Sequence, residues 1–177
     1  MRIIAGEWRG RTIEAPAGQA TRPTSDRARE GLFSMLQSRL GSFEGLQVAD
    51  LFAGTGALGL EALSRGAGHC IFVEKDRTAL DTLKRNIAKL GADARSDLRA
   101  RAVEHVTLPP CDLVLMDPPY GEGLAQAALE RAPDWLAPGG WLSIELHGEV
   151  LTPPPGLEVD AERKFGKATV ILLRNPA

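Results

Sequence analysis

Val48-Ala49-Asp50-Leu51-Phe52-Ala53-Gly54-Thr55-Gly56-Ala57-Leu58-Gly59-Leu60-Glu61-Ala62-Leu63 decides the fold. An apolar strand runs into a glycine turn, and the turn runs straight into a helix. Gly54, Gly56 and Gly59 satisfy G-x-G-x-x-G. Such a turn brings backbone N–H groups and a helix N-terminus close to a ligand. Alone, it indicates a nucleotide-like cofactor without saying which one.

Strands and helices alternate downstream. Apolar runs at 46–52, 69–74, 98–103, 111–117 and 141–146 read as strands. Helical spacing covers 57–65, 77–90 and 122–132, and residues 157–163 and 168–174 read as a closing hairpin. This alternation predicts an α/β fold, a parallel sheet covered by helices on both faces. Upstream, Ala28, Leu32, Phe33, Leu36 and Leu40 mark the buried face of a helix over 25–40, capped by Thr24 or Ser25. Residues 2–14 are short runs punctuated by glycine, the pattern of a small β-hairpin arm. The one candidate boundary lies near residue 41, between an arm and helix (1–40) and the main domain (41–177).

At 177 residues, the chain is long enough for one domain with a sizeable core. No window holds eighteen uninterrupted apolar residues, and the N-terminus lacks the apolar stretch of a signal peptide. Cys70 and Cys111 both fall in strands, as reduced core thiols of a cytoplasmic protein do. His69, His105 and His147 are scattered, so no metal-ligand spacing appears and no metal is expected. Net charge is −2, yet residues 1–40 hold seven arginines against four acids. A basic arm on an acidic body is how a modest phosphate-binding surface looks. Trp8, between Arg9 and Arg11, either stacks on a base while the arginines hold phosphate, or caps the edge of the core.

Three polar features fall where an open α/β sheet binds ligands, beyond the C-terminal strand ends. Asp50 leads into the loop Ala53 to Gly56. Glu74 closes the next strand, twenty residues after Gly54, at the spacing of an acid that accepts ribose hydroxyls. Asp117-Pro118-Pro119-Tyr120 closes the fourth. The prolines stiffen that loop and remove two N–H donors. The Asp117 carboxylate and the Pro118 carbonyl remain as paired acceptors for an exocyclic –NH₂ group, and Tyr120 offers a face for its ring. Such an amine is a poor nucleophile; hydrogen bonds to both acceptors would aim its lone pair and stabilise the charge developing on nitrogen. The matching electrophile is the sulfonium methyl of S-adenosylmethionine, held over Ala53-Gly54-Thr55-Gly56. A nicotinamide enzyme would have no need of the Asp-Pro-Pro-Tyr motif.

Asp50 to Gly56, Glu74 and Asp117 to Tyr120 resemble motifs of class I S-adenosylmethionine-dependent methyltransferases acting on amino nitrogens. Arg2-Ile3-Ile4-Ala5-Gly6-Glu7-Trp8-Arg9-Gly10-Arg11 and Arg22-Pro23-Thr24-Ser25-Asp26-Arg27-Ala28-Arg29-Glu30-Gly31-Leu32-Phe33 are similar to the opening of the RsmD family. These are bacterial enzymes that methylate N2 of one guanine in 16S ribosomal RNA. The resemblance spans essentially the whole chain. It implies a Rossmann-like, seven-stranded, mostly parallel sheet with an antiparallel C-terminal hairpin. It implies S-adenosylmethionine as cofactor: methionine on the loop from Asp50 through Phe52, Ala53, Gly54, Thr55 and Gly56, ribose on Glu74 with Lys75 beside it, and adenine bordered by Ala102 and Val103. Arg22, Thr24 and Asp26 would cover the cofactor. Asp117, Pro118, Pro119 and Tyr120 would hold the flipped guanine, and Arg2, Trp8, Arg9, Arg11 and Arg22 would meet RNA. At Ala102 relatives place Asp or Asn against the adenine amine; here a backbone group, Glu104 or His105 takes that contact. The implied partner is 16S rRNA in an assembling small-subunit particle, and the enzyme is expected to be a cytoplasmic monomer. The rival reading is an adenine-N6 methyltransferase of DNA or RNA using the same motif, although the chain shows no separate target-recognition domain.

Overall fold

The computed structural model describes residues 1–15 and 23–177, without the side chains of 23–25. In chain order the elements are α1 (Pro23–Leu40), β1 (Gln47–Leu51), α2 (Ala57–Ser64), β2 (His69–Val73), α3 (Arg77–Leu90), β3 (Ser96–Arg99), β4 (Cys111–Met116), α4 (Leu124–Arg131), β5 (Leu136–Leu146), β6 (Glu158–Phe165) and β7 (Ala168–Arg174). The strands form one seven-stranded sheet in the order β3-β2-β1-β4-β5-β7-β6. β7 runs antiparallel to both β5 and β6, and the other pairs are parallel. The α/β architecture is the expected one.

Alternating side chains of the central strands build two cores, as the period of two requires. Val48, Cys70, Phe72, Leu113 and Leu115 pack with α1, α2 and α3 on one face. Ala49, Leu51, Ile71, Val73, Val114 and Met116 pack with α4 on the other. α3 shows why its sequence is helical: Leu80, Leu83, Ile87 and Leu90 face the core, the Asp76 side chain accepts the Ala79 N–H, and Gly91 stops it at φ 68°.

The arm departs from a regular hairpin. Its pairing reduces to one bridge, Arg2 to Thr12, with the Ile3 N–H on the Arg11 carbonyl and the Ile13 N–H on that of Met1. The arm is fastened to the domain as well as to itself. Ile3, Trp8 and Ile13 are buried in the core shared with Leu60 and Leu83. The Glu61 carboxylate, fully buried on α2, accepts the Ile4 and Ala5 N–H groups and the Arg65 guanidinium. At Gly6 a Cβ would lie 1.9 Å from the Ser64 carbonyl oxygen, so the close approach of arm to α2 needs glycine.

Two strands differ from expectation. β3 covers Ser96–Arg99 rather than 98–103. Past it the chain turns inward, and Arg131 of α4 fixes the turn by donating to the carbonyls of Val103, Glu104 and Val106. β5 starts at Leu136, five residues before the predicted start. Pro138-Gly139-Gly140 is absorbed into the strand as an irregularity opposite Cys111, where Gly140 lies too close to the Cys111 carbonyl for any side chain.

Candidate active site

Register sets the site. Leu51 of β1 pairs with Val73 of β2 and Met116 of β4, and Met116 pairs with Ile144 of β5. The next residues, Phe52, Glu74, Asp117 and Glu145, therefore stand at one level of the sheet, the first three just past their strands and Glu145 still within β5, paired with Val170 of β7. They lie at the C-terminal edge of the sheet, around the β1/β4 junction where strand order reverses, the position at which α/β sheets bind ligands. A cavity of about 1270 Å³ opens there.

One wall is the glycine loop. Asp50, 1% exposed, accepts the Gly59 N–H at 2.9 Å and so ties strand to helix beneath the loop. Burial pushes its carboxyl well above the usual carboxylate range; the Gly59 hydrogen bond opposes this, and the nearby Asp117 and Glu74 charges add to it. Phe52 holds φ 60°, a costly conformation for a non-glycine residue, so the loop leaves the strand by a sharp turn. The two Glu74 carboxylate oxygens accept the N–H groups of Gly54 and Asp76, each at 2.8 Å. A Cβ on Gly54 would meet nothing within 4 Å and would project into open space above the loop. At Gly56 and Gly59 it would collide instead, with Leu83 Cδ1 at 2.4 Å and with the Phe72 ring at 2.4 Å. The three glycines thus have different reasons: one clears the cavity, and two let α2 pack.

The opposite wall follows β4 and β5. Asp117 is exposed, Pro118 buried and Tyr120 71% exposed. Glu145 and His147 stand beside them, with His147 Nε2 3.3 Å from a Glu145 carboxylate oxygen. The turn between β6 and β7 adds Gly166 and Lys167 at the rim. Gly31 of α1 makes this possible: its missing side chain lets the Phe165 ring lie on the helix, where a Cβ would approach to 2.2 Å.

Most predicted site residues meet in this cavity: Asp50, Phe52, Ala53, Gly54, Thr55, Glu74, Lys75, Ala102, Val103 and Asp117 to Tyr120 all line it. Gly56 lies below, in packing. Glu104 lines the cavity and His105 does not. Asp26 borders a smaller neighbouring hollow with Arg2 and is paired with Arg29. Arg22 lies outside the described residues, as does the Thr24 side chain. Arg2, Arg9 and Arg11 are exposed, and Arg11 donates to the Lys89 carbonyl on α3. Trp8 is 6% exposed, with the Arg95 guanidinium 5.0 Å above its ring, so a stacking role on RNA is corrected to the core-edge role. The apolar body of an indole fits the cleft among arm, α2 and α3 better than solvent.

Sequence reasoning passed over Glu145, His147, Lys167 and Arg29. For Glu145 a signal existed: it is an acid near the end of an apolar strand, as Glu74 is an acid just past one. Arg29 gave only an ambiguous one: with Arg22 and Arg27 near the helix start it reads either as a solvated face or as a functional edge. It is 6% exposed, donates to the Arg2 carbonyl at 2.6 Å, and links α1 to the arm at the cavity edge. Burial lowers its pKa from the ordinary guanidinium value, while the Glu61 and Asp26 charges oppose that shift. Both cysteines are buried and free, and burial pushes both thiols up, Cys111 to about 11. Among the described residues no helix is long and apolar enough to cross a membrane.

Residues 1–174 match the family described as conserved hypothetical protein 95. Ribosomal RNA small subunit methyltransferase D of Escherichia coli K12 is 34% identical over 183 residues, covering 100% of this chain and 91% of that protein. A solved Escherichia coli structure, also 34% identical, superposes with a TM-score of 0.88 over 100% of this chain and 98% of the other. Magnesium protoporphyrin IX methyltransferase from Synechocystis PCC 6803, solved with bound S-adenosylmethionine, shares the fold at 11% identity and a TM-score of 0.72, over 89% and 86% of the two chains.

Proposed function

The chain belongs to the family described as conserved hypothetical protein 95, the RsmD family of its sequence motifs, and on that premise we propose that it transfers a methyl group from S-adenosylmethionine to the N2 amine of a guanine in small-subunit rRNA. The observation that carries this reading is the level arrangement of Glu74 and Asp117, on opposite walls of one cleft with an exposed Tyr120 ring beside the second.

The residues present fit the cofactor. The open space over Gly54 has room for its amino-acid end. Each Glu74 oxygen accepts one backbone N–H and keeps a lone pair for a ribose hydroxyl. Ala102, Val103 and Glu104 border the adenine side, so the adenine amine meets backbone there or the Glu104 carboxylate. When bound, S-adenosylmethionine supplies an electrophilic sulfonium methyl. The protein's part is to position the acceptor. The Asp117 carboxylate and the Pro118 carbonyl accept from the two amine hydrogens, and Tyr120 stacks on the base. These contacts would aim the amine lone pair in line at the methyl carbon, opposite the sulfur that leaves, with the Asp117 carboxylate already placed where positive charge develops on nitrogen. A guanine must leave its stack to enter, at a cost of a few kcal/mol that an unpaired loop base reduces.

In this reading residues 1–40 cover the cofactor and dock RNA, and Arg2, Arg9 and Arg11 meet phosphate. The substrate is 16S rRNA within an assembling particle, and the enzyme acts as a cytoplasmic monomer without metal. The test is to offer labelled cofactor with naked 16S rRNA, with small-subunit particles and with DNA, and to map the modified nucleotide. N2-methylguanine at one position supports the proposal. N6-methyladenine would replace it with the rival chemistry.

A further inference from the structure

We propose that His147, held by Glu145, is the outlet for the proton that methyl transfer releases; this rests on the amine-methylation reading above. Ligand-type atoms of Asp117, Glu145 and His147 all lie within 4.8 Å of one another, from the ends of two adjacent strands. Three proton-carrying groups converge where the acceptor amine would sit. His147 is 39% exposed at its side chain and Glu145 21%, so the imidazole has access to water while its partner is half-buried beneath it.

The chemistry requires an outlet. The amine lone pair forms the new N–C bond, and the C–S electron pair leaves with sulfur. Nitrogen then carries one proton too many and a positive charge. The N–H bond breaks, its electrons stay on nitrogen, and the proton passes to the Asp117 carboxylate and on to the imidazole. The imidazole becomes a cation balanced by Glu145, then releases its proton to solvent. A carboxylate alone holds such a proton weakly near neutral pH, whereas imidazole is the side chain suited to carry it there. His147 thus acts through Asp117 and is a positioning and relay residue. The charged groups facing it are Asp117 from the β4 end, Glu145 and Glu149 from its own segment, and Lys167 from the β6–β7 turn.

The test is single-turnover methyl transfer across pH with wild type, His147→Ala, His147→Gln and Glu145→Gln. Wild type should lose rate on a limb toward lower pH. His147→Ala should be slower at neutral pH by about one to two orders of magnitude, lack that limb, and regain rate with added free imidazole. His147→Gln should match it without the rescue, and Glu145→Gln should move the limb. Cofactor affinity should not change in any of them. Unaltered rate and pH profile in His147→Ala, or no response to imidazole, overturns the relay alone. A wild type that methylates no rRNA amine overturns the functional reading, and the relay with it.

Discussion

The wall formed by Asp50, the glycine loop and Glu74 sets its carboxylates on backbone N–H groups, whereas that of Asp117, Tyr120, Glu145 and His147 is made of side chains at strand ends, with Asp117 and Tyr120 exposed. On the first wall the carboxylates already hold the N–H groups of Gly54, Gly59 and Asp76. On the second, the aromatic ring is 71% exposed and the nearby imidazole 39%. In the proposed function a small, constant cofactor is held by a wall whose carboxylates are already fixed on backbone N–H groups. In that function the base enters from RNA at the more open wall. The cost of order is met in folding on one side and at binding on the other.

Three single substitutions separate the walls, and a double one tests the arm. Asp117→Ala should have the largest effect: methyl transfer falls by about two to three orders of magnitude, while affinity for S-adenosylhomocysteine and thermal stability stay near wild type. Rapid-quench kinetics and calorimetric titration read the two separately, and an active variant would show that the second wall does not hold the amine. Gly59→Ala should do the reverse. Its Cβ would stand 2.4 Å from the Phe72 ring and 2.8 Å from Cys70 Sγ. We expect about 1–3 kcal/mol of destabilisation in urea unfolding, with cofactor affinity falling alongside.

Asp50→Asn should act only through pH. The folded-state pKa of Asp50 is raised chiefly by burial, so the folded chain retains a proton that the unfolded chain gives up. Its contribution is complete below the unfolded carboxylate value and is lost as pH rises toward the folded one. Asparagine keeps an acceptor for the Gly59 N–H and does not ionise. The variant should therefore lose less stability than wild type as pH is raised from acid to neutral, and parallel curves would mean Asp50 does not titrate between the two states. The smallest effect belongs to neither wall: replacing Arg9 and Arg11 with alanine should reduce the salt dependence of RNA binding by about one slope unit for each phosphate the two guanidinium groups neutralise. Cofactor affinity should not move. An unchanged slope would place RNA docking elsewhere.

Much of the first wall was legible because it is local. Asp50, the glycines and Glu74 sit at fixed distances along the chain, and strand–turn–helix geometry follows from spacing. The short Asp117 to Tyr120 motif was legible for the same reason. Arm and second wall were harder. Trp8 among arginines reads equally as an RNA contact or a core residue, and only the clefts of α2 and α3 beneath it decide. Arg29 reads as a solvated face or a functional edge, yet it is buried because α1 closes over the arm.

By itself, then, the sequence determined element order and set the glycine loop, Glu74 and the Asp117 to Tyr120 motif at strand ends, all carried by local spacing. Tertiary structure alone decided that Glu145 and His147 join Asp117, that Lys167 reaches the cleft, and that the arm is clamped by Glu61. Those contacts depend on strand register, in which a shift of one residue turns each side chain to the other face. They depend also on missing Cβ atoms at Gly6 and Gly31, whose meaning appears only when the segment that fills the space is in place.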